Sequence, residues 1–156
     1  MRTVFWVAGF IFVLDQLTKY YVVHVLNLRE VLAIDVIPPL LNLRMAWNYG
    51  INFGILADQG DTTRWILISV ALVISGAVLW WVKHDPSGRW QEIAAGLLVG
   101  GALGNVIDRL AYGAVADFLN MSCCGFDNPF SFNVADISIF IGAFGMVIFS
   151  SDKKAA

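Results

Sequence analysis

Histidine is scarce in this chain. Only His24 and His84 occur in 156 residues, and the expected topology places them on opposite faces of a membrane. That argues against a histidine metal cluster and against a Ser-His triad. Cysteine is equally scarce. Cys123 and Cys124 are adjacent, which gives no metal-ligand spacing. Neighbouring alpha carbons lie about 3.8 Å apart, closer than in a usual disulfide, so two free thiols in a loop are expected. No phosphate loop or dinucleotide fingerprint appears. No basic stripe points to nucleic acid, and the net charge is only −2. Charge itself is sparse, at 14% of residues. A soluble domain carries about 25%.

Apolar residues fill the space. They make up 58% of the chain, and its mean hydropathy is +0.70. A helix needs roughly 20 mainly apolar residues to cross a hydrocarbon core of about 30 Å. Four windows approach that length: Val4–Val23, Trp65–Val82, Ile93–Leu110 and Phe132–Phe149. No spare segment remains for a soluble domain. The expected fold is an all-α membrane protein, one domain of four transmembrane helices spanning residues 1–156. The first window begins like a secretory signal, but no small-residue cleavage site follows and DQLTKYYVV extends it. It reads as a retained helix.

Positive residues orient such helices. Arg2, the link residues Lys83 and Arg89, and the terminal Lys153 and Lys154 fall on one side, expected to be cytoplasmic with both termini. The segment Val25–Asp61 is too polar and broken to span. Within it, LLNLRMAWN suits a short strand, and Gly50 and Gly54 suit turns. A small extracytoplasmic β-element is expected there, followed by a short interfacial helix near 55–61. Gly96, Gly100 and Gly104 recur every four residues, a spacing that lets membrane helices pack closely.

The proposed orientation gathers the buried-zone polar residues at one depth, the outer face. Asp15 and Lys19 end the first helix, and Lys19 can pair with Asp15 four residues away. Asp108 and Arg109 end the third. Asp117 and Asp136 sit at the two ends of the last outer loop, and neither has a basic residue within four positions. Two carboxylates folded face to face share a proton, supplying a general acid and a general base together. Such a pair could attack a peptide carbonyl through water. The same acids could also serve membrane transport or a proton relay.

The motifs in order are DQLTK (Asp15–Lys19), NYGINFG (Asn48–Gly54), GGALGNVIDR (Gly100–Arg109), VADF (Val115–Phe118) and FNVAD (Phe132–Asp136). Nearly the whole chain resembles bacterial lipoprotein signal peptidase, or signal peptidase II. The resemblance implies an aspartyl endopeptidase of the bacterial inner membrane. It would cut prolipoproteins on the N-terminal side of a diacylglyceryl cysteine, at the outer face. It implies Asp117 and Asp136 as the catalytic pair. Asn48, Gly50, Gly104, Asn105, Asp108, Arg109, Asn133 and Ala135 match supporting or substrate-binding positions. Asp15 and Lys19 match a structural polar pair. No cofactor or metal is implied. The expected partners are diacylglyceryl prolipoproteins, membrane lipids and globomycin-type inhibitors, with the chain as a monomer. Asn52, Ile137 and the loop Met121–Ser131 depart from the family pattern.

Overall fold

The computed structural model describes residues 1–50, 61–85, 88–125 and 127–150. The expectations for Asn52, Gly54, Lys153, Lys154 and the interfacial helix near 55–61 fall largely or wholly outside these residues.

The fold is mostly helical, with one small antiparallel sheet. Helix α1 (Arg2–Tyr20) carries the first apolar window and runs on as a wider π-helical turn, Tyr21–Val25. Asn27, in the left-handed region at φ 51°, turns the chain into the single turn α2 (Leu28–Val31). Two strands follow, β1 (Ala33–Ile37) and β2 (Leu41–Asn48). Helices α3 (Asp61–His84) and α4 (Arg89–Tyr112) form a pair joined by the short polar link. Gly113, at φ 79°, closes α4 with its N–H on the Arg109 carbonyl, a left-handed ending that glycine adopts without strain. Strand β3 (Val115–Asn120) and helix α5 (Val134–Ser150) complete the order.

Among the described residues two helices, α3 and α4, are long and apolar enough to cross a membrane, and α5 is a shorter apolar helix. They are buried very differently. In its most apolar stretch α4 is 67% buried and α3 only 22%. Helix α4 is the central post, because its small residues let two neighbours close in. A methyl added at Gly96 or Gly100 would strike α1 at Val7 and Ala8. One at Gly101 would strike the Ala135 carbonyl of α5. From the other side, Gly142 of α5 sits against the Leu98 backbone of α4.

The sheet order is β1-β2-β3, all antiparallel. In the hairpin Ala33 pairs with Arg44 and Ile34 with Leu43. Across β2 and β3, Asn42 pairs with Asn120, Ala46 with Asp117 and Asn48 with Val115, with an irregularity between Leu43 and Ala46. Val22, Leu28, Leu43 and Phe118 make the apolar core beneath the sheet. A second core, around Val4, Val82, Ala95 and Met146, holds the opposite end of the bundle.

Three details correct the sequence reading. The fourth window does not begin as helix. Phe132 pairs with Leu119 as an added rung on β3, and α5 starts at Val134. VADF is a strand, not a loop end, because β2 is there to accept its backbone groups. Cys123 and Cys124 are joined by a disulfide rather than free. The backbone is left-handed at Cys124 (φ 59°) and Gly125 (φ 82°).

Candidate active site

The site has a foundation built around Lys19. Its ammonium lies 2.8 Å from Asp15 Oδ2 and 2.8 Å from Asp108 Oδ2. It also donates to Asn105 Oδ1 at 3.1 Å. An ammonium has three donors, and here each has an acceptor. All three charged side chains are buried, Asp15 at 0% exposure, and a buried charge is tolerable only when paired and hydrogen-bonded.

The remaining carboxylate capacity ties elements together. Asp15 Oδ1 accepts the Ala135 N–H at 2.9 Å, so α1 holds the first turn of α5. Asp108 Oδ2 accepts the Ala116 N–H at 3.1 Å, so α4 holds β3 one residue before Asp117. Gln16 donates to Asp15, to Asp108 and to the Gly104 carbonyl, at 3.2, 3.0 and 3.3 Å. Gly104 is required here, since a methyl group would stand 2.5 Å from Asp15 Oδ2.

Above this foundation the second pair of acids meets. Asp117 projects from β3 and Asp136 from the first turn of α5. Asn133 links them. Its Nδ2 donates to Asp117 Oδ1 at 2.7 Å, and its backbone N–H donates to Asp136 Oδ2 at 3.2 Å. Its Oδ1 accepts the Asp136 N–H at 2.8 Å. The last two bonds are a reciprocal helix cap, with Asn133 as N-cap and Asp136 three residues on. Capping and site construction are therefore the same act.

Two more amides complete the cradle. Asn105 Nδ2 donates to Asp136 Oδ1 at 2.9 Å. Its orientation is fixed because its oxygen must face Lys19, which can only donate. Asn48 Nδ2 donates to Asp117 Oδ2 at 3.1 Å, and the Gly50 N–H holds the Asn48 oxygen at 3.2 Å. Each carboxylate oxygen of both acids thus has an N–H donor.

Burial and the nearby Asp136 charge push the Asp117 carboxyl up to about 7, while the bonds from Asn48 and Asn133 oppose the rise. Near neutral pH the pair therefore readily holds one proton between two carboxyls. That arrangement can deprotonate a water and protonate a leaving amine. Arg109 is half-buried, with its field on Asp136, Asp117 and Asp108. Among the described residues it makes no ion pair, and its Nη1 reaches only the Asn105 carbonyl at a long 3.5 Å. Beside Asp136 lies a groove of about 570 Å³ with otherwise apolar walls, including Ile137, Ile139 and Phe140.

All of the residues expected at the site gather at this end of the bundle. Asp15 and Lys19 do more than pair with each other, since they also hold Asp108 and Ala135. Gln16 was the residue missed. Its signal was its place between Asp15 and Lys19 in a mostly apolar helix.

A family model described as signal peptidase (SPase) II matches residues 7–151. A curated lipoprotein signal peptidase of Alteromonas mediterranea is 39% identical over 154 residues, covering 96% of this chain and 82% of the relative. One from Aeromonas hydrophila is 43% identical over 152 residues, covering 96% and 89%. Two solved structures described as bacterial membrane enzymes are also similar. One has a TM-score of 0.78 at 28% identity, covering 99% of this chain and 91% of that one. The other has a TM-score of 0.77 at 31% identity, covering 95% and 92%. The chain belongs to the signal peptidase II family, membrane aspartic peptidases that remove signal peptides from prolipoproteins.

Proposed function

We propose that Asp117 and Asp136 are the catalytic pair of this peptidase. The observation that carries the reading is Asn133, whose amide and backbone bond both carboxyls at once. The ionised acid takes a proton from water, and the water oxygen attacks the scissile carbonyl carbon. The protonated acid stabilises the resulting oxyanion. When the C–N bond breaks, a proton passes to the leaving amine. A pair that shares one proton suits this exchange, because among the described residues neither carboxyl is in contact with a cation.

The substrate is a prolipoprotein whose cysteine carries diacylglycerol, cut on the N-terminal side of that cysteine. The apolar groove beside Asp136 supports this, since it offers the reacting end of the site to lipid-like surface. Globomycin-type inhibitors would occupy the same place. Arg109, with donors to spare beside both acids, would bond substrate carbonyls. In the membrane the chain forms one domain of four crossing segments: α1 with its π-helical extension, α3, α4 and α5. Both termini are cytoplasmic and the acids lie at the outer face. Arg2, Lys83 and Arg89 support that orientation. Family membership, rather than the acids alone, decides against a transport reading of the same residues.

The test is cleavage of a diacylglyceryl prolipoprotein by purified, folded variants in detergent. Asp117→Asn and Asp136→Asn should each abolish the cut, and the double variant should be no worse. Wild-type activity should fall as pH rises through about 7, when Asp117 loses its proton. Substantial turnover by either single variant would overturn the assignment.

A further inference from the structure

On the Asp117 side of the site lies a second cavity, of about 470 Å³, within the range of about 300–1,000 Å³ typical of ligand pockets. Unlike the groove beside Asp136, its walls are chiefly polar. Arg44 and Ala46 of β2 form one wall, and Asn120, Ser122, Asp127 and Ser131 contribute to the other. The second wall is built, not draped. Buried Asn120 donates to the carbonyls of Asn128 and Phe130 at 2.7 and 3.0 Å. Ser122 donates to Asn120 at 3.2 Å and accepts the Asn128 N–H at 3.1 Å. Ser131 then crosses to the Arg44 carbonyl at 2.9 Å. Arg44 is steadied by Asp35 at 2.6 Å, which engages one of its terminal nitrogens.

The position of this cavity relative to the acids is informative. Ala46 pairs in register with Asp117, so the cavity begins one strand away from that carboxyl. Asn120 lies three residues further along β3, about 10 Å at roughly 3.3 Å per residue. An extended peptide covers the same distance in about three residues. An apolar groove thus opens beside Asp136, and a polar cavity opens at Ala46, the β2 residue paired with Asp117. A prolipoprotein has a matching asymmetry: an apolar signal peptide before the cut, the lipidated cysteine directly after it, and water-soluble residues beyond that cysteine.

We propose that this cavity binds the first two or three residues of the mature polypeptide that follow the lipidated cysteine, held in extended form. The proposal rests on the peptidase reading above. Arg44 and the exposed Asp127, of opposite charge, make the cavity sensitive to the charge of the side chains it receives.

The test uses synthetic diacylglyceryl lipopeptides of two lengths. The short one ends at the cysteine amide, and the long ones add three residues bearing either Lys or Glu at the last position. The readout is the ratio of kcat/KM, long over short, so that any loss common to both substrates cancels. In the wild type, the long peptides should be cut with lower KM. Asp127→Lys should shift the Glu-over-Lys preference toward Glu by about two- to fivefold, the scale of a partly exposed charge pair. Arg44→Gln should reduce the preference for Glu. Equal ratios for wild type and both variants would overturn the proposal. That result would leave the catalytic reading intact, because the short peptide alone tests the aspartates.

Discussion

Asp15 and Asp108 meet across a lysine, whereas Asp117 and Asp136 meet across an asparagine. Both pairs are anchored by backbone N–H groups and amide side chains, and they share Asn105. The difference is one cation. Lys19 lies 2.8 Å from each acid of the first pair and satisfies both as anions. That pair needs no mobile proton, and its geometry ties α1 and α4 to β3 and α5. Among the described residues the second pair has only neutral donors in contact, and the Asp117 carboxyl is raised to about 7. Hydrogen bonds position a carboxyl, but a cation in contact would also discharge its chemistry.

Exchanging that single feature should exchange the behaviour. The largest effect is expected from Lys19→Met. It leaves Asp15 and Asp108 buried without their cation, and breaking such a pair costs about 3–5 kcal/mol. Unfolding measured in detergent should show that loss, and adding Asp108→Asn should recover part of it. No loss of stability would mean that the first pair is not structural.

The converse change is Asn48→Lys, which places an ammonium against Asp117. An opposite charge at that range lowers a carboxyl pKa by about 1–3 units. The fold should survive while cleavage is lost, as measured by lipopeptide turnover and thermal unfolding together. Retained activity would show that the pair tolerates a cation.

The smallest effect should come from replacing both Cys123 and Cys124 by serine. Their disulfide closes a loop between adjacent residues, so it constrains the unfolded chain very little. Stability and cleavage should stay close to wild type. A folded but inactive double variant would place the disulfide turn in the chemistry.

Much of the helical framework was legible because long apolar runs show themselves in composition. The windows for α1, α3 and α4 needed only long apolar runs, and α4's glycines at four-residue spacing announced close packing. The acids stood out because a carboxylate beside such runs needs a reason. What the sequence hid was pairing across distance. Strand β3 is buried on both faces at Val115–Phe118, so it shows no alternation of apolar and polar residues. Its strand character depends on β2, almost seventy residues earlier in the chain. Gln16 was overlooked for a related reason. Its partners on α4 are Gly104 and Asp108, and nothing local to Asp15–Lys19 reveals them. The cysteine pair was equally hidden, because residue spacing does not reveal the left-handed backbone at Cys124.

The central claim is that Asp117 and Asp136 hold one proton between them without a cation. The most direct measurement is titration of the Asp117 carboxyl by carbon-13 NMR, in the wild type and in Asp136→Asn. The account predicts a midpoint at about 7 in the wild type. With the neighbouring charge removed, the midpoint should move toward acid, yet stay above the ordinary value of 3.8 because burial remains. A wild-type midpoint near 3.8, or one that Asp136→Asn leaves unmoved, would contradict it.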